Sequence, residues 1–173
     1  MQNLLLLTIS LLFMFMSHFT THWDITKSNV LDKAKAESLP TITGVGHKEN
    51  GDTTVVEIRS EGIELSYSVT EITAKAGDIL LIRYTNESDM SHNIVLVGEE
   101  TDIRPVGIAA LQAMGSDWIP ESEMDRIIAF SELAYSGDIV EFSFKVPPPG
   151  TYPYICTYSA HWTQMQGRLI STE

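Results

Sequence analysis

The sequence predicts an all-β fold, a sandwich or barrel with one short helical insertion, and three observations predict it. From about residue 46 the chain is a series of short segments rich in β-branched and aromatic residues, separated by Gly, Asp, Asn and Ser. Within these segments apolar and polar residues alternate; Val140, Phe142, Phe144 and Val146 mark one face of a half-buried strand. One stretch, from about 99 to 131, interrupts the pattern with apolar residues at helical spacing. Short strands at regular intervals are the signature of antiparallel sandwiches and barrels.

Taken in order, the chain begins with an apolar run, Leu4 to Met16, and carries no Lys, Arg, Asp or Glu before Asp24. The run suits the apolar region of a secretory signal better than a membrane span, which needs about 20 residues. Residues 1–20 are therefore expected to be a signal peptide or, if uncleaved, an N-terminal membrane anchor. No cysteine lies directly after the run, which excludes a lipoprotein anchor. Residues 21–48 read as a flexible tether with a short helix around Val30–Ser38, and residues 49–173 as the folded domain.

Strands are expected at Thr53–Ser60, Glu64–Val69, Asp78–Asn86 and Asn93–Val97, then at Asp138–Val146, Thr151–Thr157 and Gly167–Thr172. The helix of the insertion is expected at Val106–Gly115, after Pro105 and stopped by Gly115. Pro147–Gly150 stiffens the approach to the penultimate strand. In that strand Tyr152, Tyr154 and Cys156 share a face, and Pro153 must turn its nitrogen away from a ladder partner.

Composition narrows the function. The chain has 173 residues, 43 % of them hydrophobic, enough for one domain with a proper core. Its net charge of −12 repels nucleic acid and favours cationic partners. With one cysteine there is no disulfide framework, so the thiol is free, pairs with another chain or serves as a ligand.

The chemistry concentrates in "CTYSAHWTQMQG", which runs from Cys156 to Gly167 and holds the cysteine, His161 and Met165. Thiolate, imidazole and thioether are the donors of a blue copper electron-transfer site, two His and one Cys in a plane with a long axial Met. A second histidine must come from elsewhere. His18 and His22 lie in the leader or tether and His47 in a turn-like stretch at the edge of the domain. His92 opens a strand, a rigid place for a ligand, and completes the set.

These residues resemble the cupredoxins, the plastocyanin/azurin family, and within it the azurin and auracyanin branch. The spacing Cys156, four residues, His161, three residues, Met165 is the shorter, azurin-like form. "MSHNIVLV" (Met90–Val97) is similar to the family's first ligand segment. "LSYSVTEITAKAGDILLIRYTN" (Leu65–Asn86) and "GDIVEFSFKVPPPGTYPYIC" (Gly137–Cys156) are similar to its strand pairs. The resemblance implies a Greek-key β-sandwich with one copper ion cycling between Cu(I) and Cu(II). It implies copper bound by Nδ1 of His92 and of His161, the Cys156 thiolate and a weak axial Met165, with the Ser91 carbonyl as a second, distant axial oxygen. Gln164 and Gln166 flank Met165 as alternative axial donors. Asn93 would hold the loop near Thr157, and Met90 and Trp162 would flank the exposed edge of His161 as the electron port.

An electron carrier of this kind is not an enzyme. Its partners would be c-type cytochromes or a respiratory oxidoreductase in a bacterial periplasm or cell envelope. Two other functions fit the same residues: copper storage or delivery, and a tethered accessory domain of a larger respiratory complex.

Overall fold

The computed structural model describes residues 43–44, 47–49 and 53–173. The leader, most of the expected tether and its short helix, with His18 and His22, lie outside the described residues. Among the described residues no helix is long and apolar enough to cross a membrane.

Two sheets face each other. The smaller has four strands, ordered β2 (His47–Glu49), β3 (Thr53–Gly62), β5 (Ile79–Ser88), β8 (Ile139–Lys145). The larger has six, ordered β1 (Thr43–Gly44), β4 (Glu71–Lys75), β10 (Gln166–Thr172), β9 (Gly150–Ile155), β6 (Val95–Val97), β7 (Ile127–Phe130). The alternation in sequence becomes alternation in burial. Leu80, Ile82 and Tyr84 of β5 point inward. The outward Arg83 pairs with Glu57 and Glu141 on the flanking strands.

The sheets are mixed rather than antiparallel. β3 runs parallel to β5, and β4 parallel to β10. The chain leaves β3 for β4 in the opposite sheet and returns to β5, and a strand regained by such a crossover lies parallel to the one it left.

Other expectations shift as well. Glu64–Val69 is not a strand. It keeps the period of two, with Tyr67 and Val69 buried, but it forms the crossover between sheets. It is tied to Arg59 by one backbone bond and one Ser68 side-chain bond. The ladder instead takes Glu71–Lys75, which the sequence analysis did not assign. The helix, α1, spans Ile103–Ala110, earlier than Val106–Gly115. Pro105 sits in its first turn, where the missing N–H has no helical acceptor. Ile127–Phe130, within the insertion, pairs with β6 as an edge strand.

The main core lies between the sheets and includes Ile58, Leu80, Tyr84, Leu96, Tyr154 and Leu169. A second cluster joins Val95, Val97 and Ile155 to Ile103, Val106 and Ile119 of the insertion. The C-terminal half of β9, Pro153 to Ile155, is thus buried on both faces, while Gly150 and Thr151 are exposed. Its two-residue ladder with β6 ends at Leu96–Tyr154. The Cys156 N–H points towards β10, bonding the Met165 carbonyl, so by alternation the Pro153 nitrogen points to the other side, beyond the β6 ladder.

Candidate metal centre

Three buried side chains from two distant segments of the chain meet at one end of the sandwich. His92 stands between β5 and β6 and is fixed by paired backbone bonds with Ala134 of 3.0 and 2.8 Å. Cys156 follows the last residue of β9, and His161 opens a short 3-10 turn, His161–Thr163. The loop between them bends at Ser159, whose φ of 48° lies in the left-handed region. It closes through the Met165 N–H to the His161 carbonyl (2.8 Å) and the Cys156 N–H to the Met165 carbonyl (3.1 Å).

Nδ1 of His92 and Nδ1 of His161 are 3.1 Å apart, and each lies 3.6 or 3.7 Å from the Cys156 sulfur. A triangle with those sides has its centre about 2 Å from every corner, the length of a metal–imidazole bond. Two nitrogens and one soft sulfur converging in this way fit a copper ion. Among the described residues this is the group of His, Cys, Asp and Glu that converges closely enough to hold a metal.

Met165 pairs with Cys156 across the start of the β9–β10 ladder and is fully buried in the same core cluster. Residues opposite one another in an antiparallel pair share a face, so the thioether lies on the sulfur's side. The flanking glutamines are placed otherwise. Gln164 is exposed, and the Gln166 amide donates to the Trp162 carbonyl at 2.6 Å.

Burial dominates the electrostatics. It pushes the Cys156 thiol up to about 12, against the pull of the backbone N–H groups of Asn93 and Tyr158 and the Tyr67 hydroxyl. Burial, with the neighbouring His161, lowers His92 to about 4, and burial also lowers His161. Neutral imidazoles are metal-ready, whereas the thiol must lose its proton when a metal binds.

Asn93 clamps the two ligand segments together. Its amide donates to the Thr157 hydroxyl and accepts the Thr157 N–H, each at 2.8 Å, and its carbonyl accepts the Tyr67 hydroxyl at 2.6 Å. Ser91 is half-buried beside His92, and Met90 is half-buried with its carbonyl taken by the Asn86 amide.

Trp162 turns largely inward. It packs on the second core cluster and lies so close to α1 that a Cβ on Gly107 would sit 2.3 Å from its ring. Tyr158 meets the His161 ring edge-on, at 5.2 Å between centroids and 64° between planes, and Trp118 of the insertion meets Tyr158 edge-on at 5.1 Å and 61°. Trp118 and its neighbour Asp117 both have left-handed backbones, with φ of 64° and 52°. Tyr158 and Trp118 were not among the expected site residues; one lies in the quoted loop, the other has no local signal.

A buried His–Cys–His triangle beside a methionine, at the end of a two-sheet β-sandwich, defines a blue copper electron-transfer protein. The family model for copper binding proteins of the plastocyanin/azurin family matches residues 54–171, and the chain belongs to that family. Auracyanin-A of Chloroflexus aurantiacus is 40 % identical over 118 residues, covering 66 % of this chain and 72 % of the relative. Auracyanin-B of the same organism is 28 % identical over 121 residues, and the match spans 52 % of its length. The solved structure of the blue copper protein auracyanin A superposes with a TM-score of 0.66 at 38 % identity, over 69 % of this chain and 99 % of that one. Reduced auracyanin from Roseiflexus castenholzii gives 0.65 at 33 %, over 70 % and 98 %.

Proposed function

We propose that this protein is an exported, single-electron carrier whose copper is held by Nδ1 of His92, Nδ1 of His161 and the Cys156 thiolate. Met165 would be a weak further donor to the ion, and the Ser91 carbonyl a more distant one. The observation that carries this reading is the spacing of the three donor atoms, 3.1, 3.6 and 3.7 Å. Copper, when bound, supplies a one-electron couple between Cu(I) and Cu(II).

The rest is the work of the chain. Strand ends and the closed loop hold the donors in one geometry, which keeps rearrangement between oxidation states small. Asn93 and Thr157 tie the loop to the His92 segment, and N–H groups directed at the Cys156 sulfur tune the couple. Four protein donors leave no position for a substrate, so the protein carries electrons and is not an enzyme. His161, 8 % exposed and met edge-on by Tyr158, which Trp118 meets in turn, is the side of exchange.

With a net charge of −12 the protein attracts cationic partners, and a basic c-type cytochrome or respiratory oxidoreductase of a bacterial envelope fits. Association with such a partner is expected to slow as salt rises. The apolar run at residues 4–16 supports export, with retention as an anchor if it is not cleaved.

The test is visible absorption and electron paramagnetic resonance with Cu(II), beside Cys156→Ser. Intense blue colour with narrow copper hyperfine splitting, lost in the variant, is the expected result. A colourless adduct of the unsubstituted protein would overturn the reading.

A further inference from the structure

The inward face of β5 changes character along its length. Leu80, Ile82 and Tyr84 are followed, still at period two, by Asn86 and Ser88, both wholly buried and polar. Buried polar groups persist where they are fully bonded, and these form one connected network that ends on His92. We propose that Ser88, held by Asn86, is a positioning residue of the metal centre. Its hydroxyl accepts the N–H of the outer ring nitrogen of His92 and so turns the Nδ1 lone pair to the metal. The inference rests on the copper reading above and deepens it.

Proton accounting carries the argument. The Ser88 Oγ lies 2.8 Å from Nε2 of His92, 2.8 Å from the Asn86 side-chain oxygen and 3.0 Å from the Met90 carbonyl. The last two are acceptors only. The one hydroxyl proton satisfies an acceptor, leaving the serine lone pairs for His92 Nε2–H and for the Met90 N–H at 3.3 Å.

Asn86 is fixed in turn. Its side-chain NH₂ group donates to the Met90 carbonyl at 2.7 Å and the Ala134 carbonyl at 2.9 Å, so the amide cannot be flipped. Its oxygen also accepts the Ser88 N–H and the Ser60 hydroxyl, and Ser60 lies 2.6 Å from the Tyr84 hydroxyl. Ala134 is the residue bridged to the His92 backbone. The same asparagine therefore fixes the backbone beside His92 and, through Ser88, its ring. A metal-bound imidazole is oriented by the acceptor on its other nitrogen, and here that acceptor is a neutral hydroxyl.

The first measurement needs no substitution. Long-range proton–nitrogen NMR of the full copper-free chain reads which nitrogen of His92 carries the proton. Nε2–H is expected, and a proton on Nδ1, with Ser88 donating, overturns the proposal. The second compares Ser88→Ala with Ser60→Ala, which cuts the far end of the network without touching His92. Ser88→Ala is expected to weaken copper binding by about 10- to 100-fold in a competition titration and to shift the visible band. Ser60→Ala is expected to leave both at their original values. An unchanged Ser88→Ala, or equal losses in the two variants, would reduce Ser88 to a packing role. Failure of the copper reading itself is distinct, because the unsubstituted protein would then not turn blue.

Discussion

The two histidines of the site are held by opposite strategies. His92 is wholly buried, bridged through its backbone to Ala134, and bonded at its outer nitrogen to Ser88. His161 is 8 % exposed and sits in a short turn, its ring met edge-on by Tyr158. One wall of the site is built from hydrogen bonds at strand ends, the other from aromatic packing on a loop. A carrier needs both: a wall that does not move, and a thin one close to a partner. The insertion builds the thin wall, through Gly107 against Trp162 and Trp118 against Tyr158.

The sharpest way to break this comparison is to disturb the thin wall from behind. Gly107→Val places a branched side chain where even a Cβ would lie 2.3 Å from the Trp162 ring. Overpacking of this kind costs about 1–3 kcal/mol and occasionally more. Denaturant unfolding should show the loss, and the copper spectrum should broaden as His161 shifts; an unchanged spectrum would mean the insertion does not position that wall.

Asn93→Ala attacks the joint between the walls. It leaves the buried Thr157 N–H without its acceptor, at about 1–3 kcal/mol. A thermal melt of the copper-free protein measures it, and loss beyond that range would show that the clamp holds more than one bond.

Titration probes both walls and the thiol without mutation. His92 is held at about 4, and His161 is lowered too, against an unfolded value near 6.5. Groups depressed in this way favour folding above pH 6.5, and that contribution is lost as pH falls from about 6.5 towards 4. The Cys156 thiol is raised, from 9.0 to about 12, so its contribution is lost as pH rises past 9. Denaturation midpoints of copper-free protein across pH should fall at both ends. A flat acid limb would contradict the buried, neutral His92.

The smallest effect on stability is expected from Trp118→Leu, because the ring is half-exposed. The blue spectrum should be unchanged, while electron exchange with a basic haem protein slows. Unchanged stopped-flow rates would place the exchange surface elsewhere.

Much of this was legible in the sequence. Cys156, His161 and Met165 fall within ten residues, and a loop closed by its own backbone bonds brings them together. The period of two located β3, β5, β8, β9 and β10. It misplaced a strand at Glu64–Val69, because alternation reports which side of a segment is buried and not whether a neighbouring strand is in reach. β4 and β7 were missed for the converse reason: both are short, and their pairing partners lie far along the chain.

By itself the sequence determined the donor chemistry and the absence of a disulfide within the chain: one thiol, the imidazoles and the loop spacing are covalent facts. It also set the net charge of −12 and the alternation that makes two sheets. The tertiary structure decided that His92 faces Cys156 across 64 residues of chain. It also decided that Ser88 lies behind that imidazole and that Tyr158 meets the other edge-on. Such contacts depend on how two twisted sheets stack and where the crossover returns, and local periodicity carries no record of either.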